Sequence, residues 1–145
     1  MQDYKKLRVW HRAKDLSVKI IAAFPERTGR KVPGLRNQVI RAATSVAANL
    51  VEGCGRSTRE DFLHFIKISL GSLNEVEGYL VTAHEAGVLG AAPYAELQRD
   101  IDLVRRMLLS LIRAVERQIA KEEGSKVAPR RVADEPNETS ALSPR

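Results

Sequence analysis

The nine residues EGCGRSTRE, 52–60, constrain this chain more than any other stretch. They lie between a pair of long segments with helical periodicity, so they decide whether those segments fold back on each other. Gly53 and Gly55 can take the left-handed conformation that ends a helix. Ser57-Thr58-Arg59-Glu60 fits a capping box, in which the Ser57 hydroxyl accepts from the Glu60 amide and Glu60 reaches back to the Ser57 amide. The stretch predicts a stop, a turn and a restart. A phosphate loop would need Gly-x-x-x-x-Gly-Lys-Ser/Thr after a strand, and neither the lysine nor a preceding strand is here.

Four helical segments and no convincing strand emerge on either side of that turn. Over residues 4–24, Val9, Trp10, Ala13, Leu16, Ile20 and Phe24 share one side, and Arg8, Arg12, Asp15 and Lys19 another. FPERTGRKVPG, 24–34, reads as a connecting loop because it holds two prolines and two glycines. Over 34–54, Leu35, Val39, Ala43, Val46 and Leu50 form an apolar centre, and small neighbours let another backbone come close. Over 58–86, Phe62, Phe65, Ile66, Leu73, Val76, Leu80 and Ala83 make the core face. Gly71 and Gly78 lie opposite; the choice there is between close approach of another backbone, including that of another subunit, and simple tolerance. Gly87 supplies the stop, and Pro93 opens the last segment. In 94–122, Leu97, Ile101, Val104, Leu108, Leu111, Val115 and Ile119 alternate spacings of four and three, a bundle seam. Arg99, Arg106, Arg113 and Arg117 make a separate basic stripe there. From Gly124 the composition shifts to three prolines, mixed charge and no aromatics, so 124–145 is expected to be a disordered tail after a single domain, 1–123.

Charge bounds the partners. Residues 1–56 carry 12 Lys/Arg against 4 Asp/Glu, whereas 57–90 carry 2 against 5. A basic half attracts polyanions or an acidic protein surface. No apolar run reaches ~18 residues, so no membrane span is expected. The charged N-terminus lacks the apolar core of a signal peptide, and a cytoplasmic location is expected.

Catalytic chemistry finds little to stand on. Cys54, the lone cysteine, needs a base nearby, and the spacing of His11, His64 and His84 places none there. Asp61 and His64 form one carboxylate-x-x-His pair, whereas di-iron bundles need two such pairs plus further glutamates. Glu75 and Glu77 point to different faces. The expectation is a non-enzyme without metal or cofactor. A polar stripe is the sharper feature: Arg41, Ser45, Asn49 and Glu52 share a narrow face, as a solvated surface or as a hydrogen-bonded seam with Glu60, Lys67 or Glu75.

Read together, RVWHRAKDLS, the block from LRNQVIRAATSVAANL to SLNEVEGYL, and MLLSLI resemble the four helix bundle proteins, first met as products of intervening sequences in bacterial 23S ribosomal RNA genes. Arg41, Ser45, Asn49, Glu52, Gly53, Gly55, Arg56, Phe62, Gly71, Ser72 and Leu73 fall in that family's order. Ala47 departs from it, standing where the family often has proline, so this helix should run straighter. The resemblance implies an all-α, antiparallel up-and-down four-helix bundle, often a homopentameric ring. It implies kinship with the accessory variability protein of diversity-generating retroelements, which assists a reverse transcriptase. It carries over no active site.

Two functions compete on these residues. One is an oligomeric nucleic-acid-binding protein, RNA favoured, with Lys5, Arg8, Arg12, Lys19, Arg36 and Arg41 on phosphates. The other is a protein-interaction scaffold serving a reverse transcriptase.

Overall fold

The computed structural model describes residues 1–127, and all of its regular structure is helical. A 3-10 turn at Tyr4–Lys6 precedes α1 (Arg8–Ala23), α2 (Glu26–Lys31), α3 (Leu35–Cys54), α4 (Arg59–Glu85) and α5 (Ala91–Val127). The four long helices form the antiparallel up-and-down bundle that the sequence predicts. Each packs on two neighbours: α1 on α3 and α5, α4 on α3 and α5, with no backbone contact across either diagonal.

Cross-helix pairs fix the direction and register. Between α4 and α5 the pairs run Arg59 with Glu122, Lys67 with Glu116, and Glu77 with Arg105, stepping forward on one helix and back on the other. Between α1 and α3, Gln2 N donates to Cys54 O at 2.9 Å and Arg36 Nε to Phe24 O at 2.8 Å, one bond at each end.

The core is a continuous stack from Val9 to Val115. Its largest fully buried side chains are Phe24, Leu16, Ile20, Leu50, Ile66, Leu73, Leu80, Ile101 and Leu108. Burying a side chain of this size stabilises by about 1.5–3 kcal/mol. Small residues set the separation of α3 from α4. A Cβ on Gly53 would lie 2.9 Å from Phe65 Cβ and 3.1 Å from Phe62 Cδ2.

Several expected details are corrected. The first segment is not one helix: Asp3 accepts from Lys5 N and caps the 3-10 turn, and Leu7 is extended before α1 starts. The expected loop contains α2, held between Pro25 and Val32, with Glu26 in its first turn and Arg30 and Lys31 in its last, each suited to the helix dipole. Neither Gly53 nor Gly55 is left-handed: Gly55 has φ −80°, and only Gly34 and Gly87 have positive φ among the described residues. Gly53 is there for contact rather than for a turn.

The helix cap is displaced by one residue. Thr58, not Ser57, caps α4, its Oγ1 accepting from Asp61 N at 3.1 Å. Gly87 does stop α4, in a Schellman turn: φ is 74°, Val88 N donates to Ala83 O and Gly87 N to His84 O. Phe65, expected in the core, is half-buried. Leu111 is half-buried too, and Ile112 takes its core place, because a straight helix drifts from a strict seven-residue repeat by about 20° per heptad. Helix α5 runs to Val127, past the expected boundary at Gly124. The rest of the expected tail, 128–145, lies outside the described residues.

Candidate nucleic-acid interface

The structure divides the six candidate cations into different situations. Lys5, Arg8 and Arg12 are exposed and lack a carboxylate partner among the described residues. Arg8 and Arg12 border the groove between α1 and α5, beside Met107 and Leu111 for Arg8 and Leu103 for Arg12. Lys19 is engaged: its Nζ donates to Asp100 Oδ2 at 2.8 Å and Glu96 Oε1 at 3.1 Å. The bond to Asp100, then that to Glu96, holds the ammonium above its ordinary pKa. Arg36 is half-buried and spends its Nε on the Phe24 carbonyl, closing the α1–α3 connection. Arg41 is exposed on α3, in a polar depression with Gln38, Ser45, Ser72 and Glu75. Lys5, Arg8 and Arg12 therefore stand apart from Arg41, which shares its face with α4.

The polar stripe of α3 meets α4 through hydroxyls. Ser45 Oγ and Ser72 Oγ lie 2.9 Å apart, and Asn49 Nδ2 donates to Ser45 O at 2.8 Å and Ser45 Oγ at 2.9 Å. Arg41 and Glu75 border this cluster without a hydrogen bond into it among the described residues. Glu52 turns instead to Arg56, at 2.6 Å, whose guanidinium lies 4.8 Å from the Phe65 ring centroid. Glu60 and Lys67 stay out of the cluster, and Lys67 pairs with Glu116 on α5.

Sequence reasoning missed the buried partners. Ser69 Oγ donates to Val46 O at 2.9 Å, and Ser17 Oγ donates to Ala43 O at 2.9 Å and to Ala13 O at 3.1 Å. Both serines stand at helical spacing from core isoleucines, Ser17 three residues before Ile20 and Ser69 three residues after Ile66. That position is the only signal they give in the sequence.

Cys54 is buried at the end of α3. Burial, and then the nearby Asp3 carboxylate, raises its thiol above the ordinary range. A raised thiol holds less nucleophilic thiolate at neutral pH. His11 Nε2 lies 2.7 Å from Lys5 O and His84 Nδ1 3.0 Å from Leu89 O, so both rings are tied to local backbone. Among the described residues no group of three or more His, Cys, Asp or Glu could hold a metal ion, and no helix is long and apolar enough to cross a membrane.

The last helix carries a further basic feature. Arg99, Arg106, Arg113 and Arg117 are all exposed, and none has an ion-pair partner among the described residues.

Comparison with known proteins agrees with this architecture. A crystal structure of a protein of unknown function from the S23 ribosomal protein family of Bacteroides thetaiotaomicron VPI-5482 superposes with a TM-score of 0.67 at 24% identity, covering 72% of this chain and 95% of that one. None of the curated proteins matches. Residues 5–110, from the first turn to midway along α5, match the family described as 23S rRNA-intervening sequence protein, and the chain belongs to that family.

Proposed function

We propose that this protein is a non-catalytic, oligomeric nucleic-acid-binding bundle that takes structured RNA through its basic surface. The observation that carries the reading is the state of its cations. On the N-terminal half of α1 and the turn before it, Lys5, Arg8 and Arg12 are exposed with no carboxylate partner among the described residues, in the half of the chain with 12 Lys/Arg and 4 Asp/Glu. Surface cations left unpaired are available to phosphate oxygens, and arginine matches phosphate geometry in two parallel bonds. Such contacts position a nucleic acid without reading its sequence.

In an oligomer, several copies would turn weak contacts into avidity. The outer side of α4 has room for a second copy. A Cβ on Gly71 or Gly78 would meet nothing within 4 Å, and Ile68 and Val81 are 37% and 36% exposed.

The test is a filter-binding titration of a stem-loop RNA across 50–200 mM salt, with light scattering on the same sample. The expected result is an oligomer whose affinity falls steeply as salt rises. No binding at 50 mM, or binding indifferent to salt, refutes the reading. Capture of a protein partner without nucleic acid would favour the scaffold instead.

A further inference from the structure

We propose that the outer face of α5 is the main nucleic-acid contact and that its ligand is a duplex backbone rather than a single strand. This goes deeper into the nucleic-acid reading above and rests on it. Three observations lead to it.

The first is alignment. Arg99, Arg106 and Arg113 are seven residues apart and Arg117 follows four later, so all four share one face of an uninterrupted helix. At 1.5 Å per residue they are about 10, 10 and 6 Å apart along the axis, a span of about 27 Å. That is of the order of one duplex turn, which is roughly 34–36 Å in B-form DNA.

The second is the fate of the acids beside them. Of the six carboxylates of α5, five are held by cations that are not in the stripe. Glu96 and Asp100 are held by Lys19, Asp102 by Arg105, Glu116 by Lys67 and Glu122 by Arg59. The acids are drawn to the flanks, toward α1 and α4, while the arginines are left facing out. A merely solvated charged face would be expected to pair its own arginines with these acids at i,i+3 or i,i+4. Only Arg105, which lies outside the stripe, does so among the described residues, reaching Asp102 at 3.2 Å while its other nitrogen reaches Glu77 at 2.7 Å.

The third is what the stripe lacks. Single-strand binders stack bases on aromatic side chains. The single aromatic residue of α5, Tyr94, is in the first turn, half-buried and stacked on His84 with ring centroids 4.3 Å apart. A rigid row of guanidinium groups suits the fixed phosphate rows of a duplex, which RNA-binding proteins recognise largely by shape and backbone.

The experiment compares a 20-base-pair RNA hairpin with a 20-nucleotide oligo-U, each titrated at 50–200 mM salt against the full chain. The variants are R99Q/R106Q/R113Q/R117Q and, as comparison, K5Q/R8Q/R12Q. The hairpin is expected to bind tighter. Each phosphate contact contributes about 0.9 to the salt slope on a duplex, so the quadruple variant should lower the slope by about 3–4. Between 50 and 200 mM that is roughly 150-fold less loss of affinity. The double variant R106Q/R113Q should lose about half that slope, which keeps the test open if the quadruple variant folds poorly by circular dichroism. An unchanged slope in these variants, with a reduced slope in K5Q/R8Q/R12Q, overturns the assignment to α5 and leaves nucleic-acid binding standing. Tighter binding of oligo-U overturns the duplex ligand. A wild type that binds neither probe at 50 mM removes both the inference and the reading beneath it.

Discussion

Three glycines of this chain should respond to the same substitution with opposite signs. Gly53→Ala puts a methyl 2.9 Å from Phe65 Cβ and 3.1 Å from Phe62 Cδ2. The Phe62 ring edge can turn aside, but Phe65 Cβ is fixed to the α4 backbone, so α3 and α4 must move apart. Overpacking of this kind costs about 1–3 kcal/mol. Against it, alanine is better than glycine inside a helix by about 0.8–1.0 kcal/mol. The balance is a destabilisation of up to about 2 kcal/mol. Gly71→Ala and Gly78→Ala meet nothing within 4 Å and lie in the interior of α4, so only the helix preference acts. Each should stabilise the subunit by about 0.5–1 kcal/mol. Urea unfolding followed by far-ultraviolet circular dichroism measures all three. At about 4 °C per kcal/mol, Gly53→Ala should melt up to about 8 °C lower, and the other two about 2–4 °C higher. If Gly53→Ala proves as stabilising as Gly71→Ala, the contact argument for the α3–α4 turn is wrong. Light scattering separates the second issue: if a subunit seats on α4, the two stabilised variants should also assemble less well.

Other outcomes follow from single contacts. Thr58→Ala should cost about 1 kcal/mol through loss of the α4 cap, while Ser57→Ala should stay within about 0.5 kcal/mol; a reversal in urea titration would restore Ser57 as the cap. Ser69→Ala removes a buried bond to Val46 O and should cost about 0.5–1.5 kcal/mol, measured in the same titration. Lys19 has its pKa raised by Asp100 and Glu96, so its stabilising effect is fully present below about pH 10.5 and is lost as pH rises through its folded value. The stability difference between wild type and Lys19→Met should therefore shrink above that pH in circular-dichroism melts, and shrink in 1 M salt, which screens exposed pairs. Burial raises the Cys54 thiol, so a disulfide reagent at pH 8 should label it far more slowly in the folded protein than in 6 M guanidinium; equal rates would place the sulfur in solvent.

The helices of the bundle were legible because their apolar periods are long and separated by strong turn residues. The spacing of Leu97, Ile101, Val104 and Leu108 alone predicts one buried face, and all four are buried. Local ambiguity explains the misplaced cap. Ser57 with Glu60 and Thr58 with Asp61 both fit the cap pattern in sequence, and the fold uses the second. Gly53 misled for a related reason, since glycine serves both left-handed turns and close contacts and the letters do not say which. The hidden helix α2 lies in a stretch where prolines at 25 and 33 mark breaks, and a six-residue helix fits between them. Cross-helix partners could not be read, because they depend on register between segments up to 81 residues apart, as for Lys19 with Asp100. That is why Lys19 and Arg36 look like free cations in the sequence and are engaged in the fold.

The same dependence on register changes the charge that a ligand would meet on α5. In sequence, residues 91–123 hold six basic and six acidic side chains and look neutral. Folding sets three more cations against their acids: Lys19 from α1, and Arg59 and Lys67 from α4. Folding also sets Glu77 of α4 against Arg105, so the neighbourhood of that helix carries a net charge of about two, positive, within the ~10 Å over which charges act at 0.1 M salt. These exposed pairs contribute little to stability. Their greater effect is on position, since each carboxylate held at a flank is one fewer to neutralise an outward arginine. Reversing one of them makes the point testable: Lys67→Glu leaves Glu116 without its cation and adds a second acid beside it. It should weaken duplex binding at 50 mM salt although Lys67 itself need touch no phosphate, while Lys67→Arg should not. Equal binding by both variants would mean that the flanking pairs do not shape the field of the stripe.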